Sequence, residues 1–150
     1  MPKYILNKKS GTFYLISAPK NILLQHILSW LTNNELFSIS QEDPQDRESM
    51  ISAITKLTQL QLEDLGRYPG IVQMIPYKCV MIDTENPGLD ECGLLSEFST
   101  IFAKNNIPIL SNSTFYRNYI FYPSQYDTKF NDLINKEEDY KLESSAESSN

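Results

Sequence analysis

The sequence predicts an α+β protein made of two successive βαββαβ units, each an antiparallel sheet with its helices on one face. Three observations carry this. Apolar runs alternate with the two-residue period of strands, apolar stripes at helical spacing lie between them, and a Gly66-Arg67-Tyr68-Pro69-Gly70 break divides two halves of similar pattern.

Tyr4 to Leu6, a Lys8-Lys9-Ser10-Gly11 turn and Phe13 to Ile16 read as a hairpin of β-formers. Leu23, Leu24, Ile27, Leu28 and Leu31 then draw a single helical stripe, closed by Asn33-Asn34. Leu36 to Ser40 alternates like a half-buried strand, Asp43-Pro44-Gln45-Asp46 turns the chain, and Met50 to Ile54 supplies a second strand. Leu57, Leu60, Leu62 and Leu65 give a weaker helix before the break, which bounds a first unit at 1–70 and a second at 71–142.

The second unit restarts with Ile71 to Ile75 and Tyr77 to Ile82, the nearly continuous apolar run of a central strand. After a Pro/Gly loop, Asp90 is placed to N-cap a helix whose inward residues are Leu94, Leu95, Phe98, Ile101 and Phe102. Ile107 to Leu110 and Tyr119 to Tyr122 read as strands joined through Ser111 to Phe115. Ser124 and Asp127 form a capping box for a last helix with Tyr126, Phe130, Leu133 and Ile134 inward, and Tyr140 to Leu142 adds a short edge strand. The Glu/Ser-rich residues 143–150 have too little apolar surface to offset the entropy of ordering and read as a disordered tail. The repeated pattern matches a tandem of ferredoxin-like units.

A formal charge of −6 argues against nucleic acid as a partner, because phosphate binding rests on clustered Lys and Arg. No run reaches the length of a membrane span, and Cys79 and Cys92, far from a Cys-x-x-Cys pair, fit reduced thiols of a cytoplasmic protein. One histidine, His26, beside a helical apolar stripe, and two separated cysteines make no zinc set. No phosphate-binding glycine motif is present, so neither metal nor cofactor is expected. Cys92 sits at a helix start that lowers a thiol's pKa, yet no base stands at a recognisable spacing, and the protein reads as a non-enzyme. The aromatics Phe115, Tyr116, Tyr119, Phe121 and Tyr122 alternate as core and interface residues of a strand do.

The segment Asp90-Glu91-Cys92-Gly93-Leu94 stands apart. Unpaired N–H groups in a helix's first turn attract a carboxylate, and Gly93 leaves room for a ligand to approach; a plain capped helix is the simpler reading of the spacing.

Cys92-Gly93-Leu94-Leu95, Asn106-Ile107-Pro108-Ile109-Leu110, Ser113-Thr114-Phe115 and Asn118-Tyr119-Ile120 together resemble the ACT domains of CASTOR-type proteins and the regulatory ACT domains of aspartate kinases. Phe37-Ser38-Ile39, Glu42 to Asp46 and Met50-Ile51 extend the resemblance over most of residues 12–123. It implies a cytosolic amino-acid sensor of the arginine-sensing, TORC1-signalling type, with the ligand held between units. CASTOR proteins carry four such units and this chain has length for two, so the resemblance implies a homodimer. Carried over, the ligand contacts are Glu91, Cys92, Gly93 and Leu94 at the helix start and Thr114, Phe115 and Asn118 on the facing turn and strand. The family's site is acidic where this chain has Asn118, which removes the charge-assisted part of arginine recognition. Pro108, where related units offer a donor, has no N–H to give. An interaction module without a small ligand, or a regulatory subunit of an amino-acid-pathway enzyme, are the alternative readings.

Overall fold

The computed structural model describes residues 4–32, 36–41, 50–68, 73–84, 91–113 and 118–144. Along the chain these form β1 (Tyr4–Lys8), β2 (Phe13–Pro19), α1 (Lys20–Thr32), β3 (Leu36–Gln41), β4 (Met50–Lys56) and α2 (Gln59–Gly66). There follow β5 (Gln73–Thr84), α3 (Glu91–Lys104), β6 (Leu110–Ser113), β7 (Asn118–Pro123), a 3-10 turn (Ser124–Tyr126), α4 (Asp127–Asn135) and β8 (Tyr140–Ser144). The chain is a mixed α/β protein of two compact units, one formed by residues 12–77 and the other by 1–11 with 78–150.

In the 12–77 unit the strands lie in the order β3-β4-β2-β5, every neighbouring pair antiparallel. The two-residue period decides which side chains go inward: in β4, Ile51, Ala53 and Thr55 are buried and their neighbours are half-exposed. Ile16 pairs with Ala53 and Ala18 with Ile51, and the four meet Leu23, Leu57 and Leu65 in the unit's core. Leu24 and Leu60, expected inward, are instead 53% and 75% exposed. The buried edge of α1 is shared by Ile22 and Leu23, which leaves Leu24 a further 100° round the helix. Leu60 lies five residues before the buried Leu65, well off its face of α2.

α2 opens with a complete capping box. The Gln61 N–H donates to Thr58 Oγ1 at 3.2 Å and the Thr58 N–H to Gln61 Oε1 at 2.8 Å, so two donors that no helical carbonyl reaches are satisfied reciprocally. Thr58→Ala is expected to lower stability by about 1 kcal/mol, measured as a shift of the denaturation midpoint with unchanged slope.

In the other unit β1 runs antiparallel to the second part of β5 and parallel to β8, while β7 pairs with β5 and β6. The expected β1–β2 hairpin does not form: β2 pairs with Gln73–Tyr77 of β5 and β1 with Val80–Thr84. β5 has 12 residues and about 40 Å of backbone to pair, enough for two short strands in succession, and Gly11 with φ 81° turns the chain between them. The core joins Leu6, Val80 and Ile82 to the α3 and α4 side chains Phe98, Phe102, Phe130 and Ile134. Its spine is aromatic: Phe98–Phe102 at 4.5 Å between ring centroids, Phe102–Phe130 at 5.3 Å and Phe130–Tyr122 at 4.2 Å.

Asp127 does not serve the expected capping box. Ser124 lies in the 3-10 turn, α4 begins at Asp127 without a side-chain cap, and Asp127 Oδ1 accepts from the Tyr122 hydroxyl at 2.7 Å and pairs with Lys8 Nζ at 2.6 Å. Water can satisfy the N–H groups of an accessible helix end, whereas a buried hydroxyl and a mostly buried ammonium need an acceptor from the protein. β8 continues through Ser144, two residues past the expected Leu142.

Candidate functional site

Glu91, Cys92, Gly93 and Leu94 form the first turn of α3, where the backbone N–H groups have no partner within the helix. Asn118 opens β7, is 3% exposed and faces Ser113 across the antiparallel β6–β7 pair. Thr114 and Phe115, and the expected N-cap Asp90, lie outside the described residues.

Topology brings the two described segments to one end of the sheet. α3 has 14 residues and carries the chain about 20 Å back along the strands before β6 begins, so β6 runs the same way as β5. β7 is antiparallel to β6 and therefore starts at the end where β5 stops and α3 begins. A buried amide and a helix start thus share that end, a combination that can meet the carboxylate and amino group of a small ligand.

Pro108 is not part of it. With Asn106, Ile107 and Ile109 it lines a shallow hollow of about 490 Å³ against Ser99 and Ala103, towards the C-terminal end of α3, where Asn106 takes the left-handed conformation at φ 57°. Its missing N–H is remote from the helix start.

Two polar clusters escaped sequence reasoning. In the first, Lys8 Nζ pairs with Asp127 and donates to Asn131 Oδ1 at 3.0 Å, while Tyr122 donates to the same carboxylate. Burial alone would raise the Asp127 pKa, but hydrogen bonds from Lys8 and Tyr122 and the charges of Lys8 and Lys78 outweigh it and hold the carboxyl below its ordinary value. Burial, then the bond and charge of Asp127, push the Tyr122 phenol far up.

In the second cluster, the facing residues Tyr4 of β1 and Tyr140 of β8 stack at 5.3 Å, and the Tyr4 hydroxyl donates to Glu97 Oε2 of α3 at 3.4 Å. Burial and then the Glu97 charge, with smaller effects of Tyr4, Asp139 and Glu137, raise the Tyr140 phenol. Partners 93 residues apart leave no local spacing by which the sequence could announce them.

Cys79 is fully buried, and loss of solvent pushes its thiol up to about 12 against the opposing charge of Lys9, which leaves it without thiolate character at neutral pH. His26 stands edge-on to Tyr68 at 5.7 Å, a packing contact. Among the described residues, no three His, Cys, Asp or Glu side chains group as a metal site would require, and no helix is long and apolar enough to cross a membrane.

No protein-family model and no curated protein matches the sequence. Solved structures from two bacteria share the fold. A protein from Agobacterium tumefaciens matches with a TM-score of 0.66 at 20% identity, over 97% of this chain and 96% of its own. A Vibrio cholerae protein of unknown function, described as a possible transport protein, matches with a TM-score of 0.62 at 13% identity over 89% of each chain. The regulatory subunit of aspartate kinase from Thermus flavus aligns over 89% of this chain and 95% of its own, with a TM-score of 0.49 at 15% identity.

Proposed function

We propose that the chain is a non-enzymatic, amino-acid-binding regulatory protein built from two ACT-like units. The strand order β3-β4-β2-β5 of the 12–77 unit, threaded strand, helix, strand, strand, helix, strand, supports the ferredoxin-like reading of that unit. The order strand, helix, strand, strand, helix, strand from β5 to β8 supports it for the other. The sequence resemblance to CASTOR-type and aspartate-kinase regulatory domains supplies the functional class.

The observation that carries the reading is the buried Asn118 at the sheet end where α3 starts. The ligand carboxylate takes the N–H groups of Glu91 to Leu94. Its amino group takes Asn118 Oδ1 with the carbonyls of Ser113 or Thr114, and its side chain lies under Phe115. A homodimer closes the site in the way the resemblance implies.

The test is a thermal-shift screen of the purified protein against the twenty amino acids, read beside its mass in solution. A ligand at about a hundred times its Kd stabilises the native state by about 2.7 kcal/mol, which for a chain of this size raises Tm by about 5–10 °C. Gly93→Phe is expected to abolish that rise while leaving the unliganded Tm within about 2 °C, because the substitution fills the approach to the N–H groups. A flat profile across all twenty amino acids sinks the reading and directs the search to protein partners.

A further inference from the structure

Both described helices of the 12–77 unit pack on one face of its sheet, where Ile16 and Ala18 of β2 and Ile51 and Ala53 of β4 meet Leu23, Leu57 and Leu65. By the two-residue period the odd-numbered residues of β2 and the even-numbered ones of β4 point the other way, to a face that neither helix covers. Register sets these side chains in rows. Ile54, Leu15 and Ile75 stand side by side across β4, β2 and β5, and all three are half-buried. The next row holds Lys56, the buried Phe13 and the half-buried Tyr77. On the other side of the apolar row lie Ser52 and Ser17, and the edge strand β3 adds Ser38 and Ser40 beside β4. An apolar centre with a small, uncharged polar border is thus laid across the helix-free face.

We propose that this face binds the same face of a second copy of the chain, sheet against sheet about a twofold axis. A contiguous apolar row on a sheet surface marks an interaction site, and a homodimer interface is an apolar centre inside a polar rim. Charge selects a copy of the chain over another protein. A twofold contact sets each face against itself, so any net charge on it repels its own image. The chain has 13 Lys and Arg and 19 Asp and Glu, yet the side chains named on this face include one charged group, Lys56 at the border, and no acid. Two sheets packed face to face about 10 Å apart let the apolar rows interdigitate. Four strands about 4.8 Å apart and five residues at about 3.4 Å each give a flat footprint of about 300 Å² per copy, the size of a weak contact that concentration controls. The contact is separate from the start of α3, which belongs to the other unit, and does not depend on the function proposed above.

Sedimentation velocity of the full chain over a concentration series tests this, with Leu15→Glu, with Leu15→Lys and with an equimolar mixture of the two. The wild type is expected to sediment faster as its concentration rises. Each variant alone sets like charges against each other across the twofold axis and is expected to weaken the association at least about tenfold. The mixture is expected to restore it, because opposite charges then meet within the same patch, a rescue that a folding defect cannot give. A monomer at every concentration overturns the proposal. So does association that neither variant weakens, since the copies then meet through another surface. A loss that mixing does not restore overturns it as well, because the new charge then acts through the fold and not across a shared face.

Discussion

Phe102→Ala is expected to lower the stability of the protein by about 3–5 kcal/mol. Phe102 is fully buried on α3 and stands between Phe98 of its own helix and Phe130 of α4, at 4.5 and 5.3 Å between centroids. Truncation removes the transfer free energy of the ring and leaves a void that two rigid aromatic neighbours fill poorly. It also interrupts the line of rings that joins Phe98 to Tyr122. Against a total of about 5–15 kcal/mol for an ordinary domain, such a loss takes a large share of the folded state's margin. Urea denaturation followed by circular dichroism measures it, and a loss under about 1 kcal/mol would place Phe102 outside the core.

Asp127 governs the next largest effect. Asp127→Ala strips the acceptor from a buried tyrosine hydroxyl and the counter-ion from Lys8, whose side chain is 18% exposed. Partial access of water to the Asp127 carboxylate, 32% exposed, screens the pair, and the expected cost is about 2–3 kcal/mol. The sign of the pH dependence follows from the direction of the shift. The folded carboxyl titrates below its ordinary 3.8, so its contribution is fully present above that value and is lost as pH falls through the folded pKa. Stability of the wild type therefore declines on acidification below about pH 4, and Asp127→Asn, which cannot ionise, removes this group's part of the decline. Equal acid slopes for the two proteins would show that the Lys8 pair contributes nothing. A double-mutant cycle with Tyr122→Phe isolates the hydroxyl's share.

Where two-residue alternation or helical spacing was strong, the elements were legible in the sequence. β4, with Ile51 and Ala53 inward, and α3, with Phe98 and Phe102, stand where the pattern places them, because burial of one face is a property of a local segment. The candidate site was legible to the extent that it is local: Glu91 to Leu94 open a helix and Asn118 opens a strand.

What only the tertiary structure decided is long-range pairing. The sequence by itself determined that Tyr4 to Leu6 and Phe13 to Ile16 are strands, and nothing in their composition says that both pair with β5 and not with each other. An antiparallel edge accepts any strand with compatible alternation, and the choice among partners is made by the whole set of contacts at once. The same holds for Asp127, whose S-x-x-D spacing is a valid local cap until Lys8 arrives from a distant strand and, with Tyr122 of the preceding strand, offers its carboxylate a partly desolvated pair in place of accessible N–H groups. Glu97, Tyr4 and Tyr140, drawn from one helix and two strands, became a cluster only through the parallel β1–β8 register, for the same reason: side chains meet by sheet geometry, and local sequence carries no record of it.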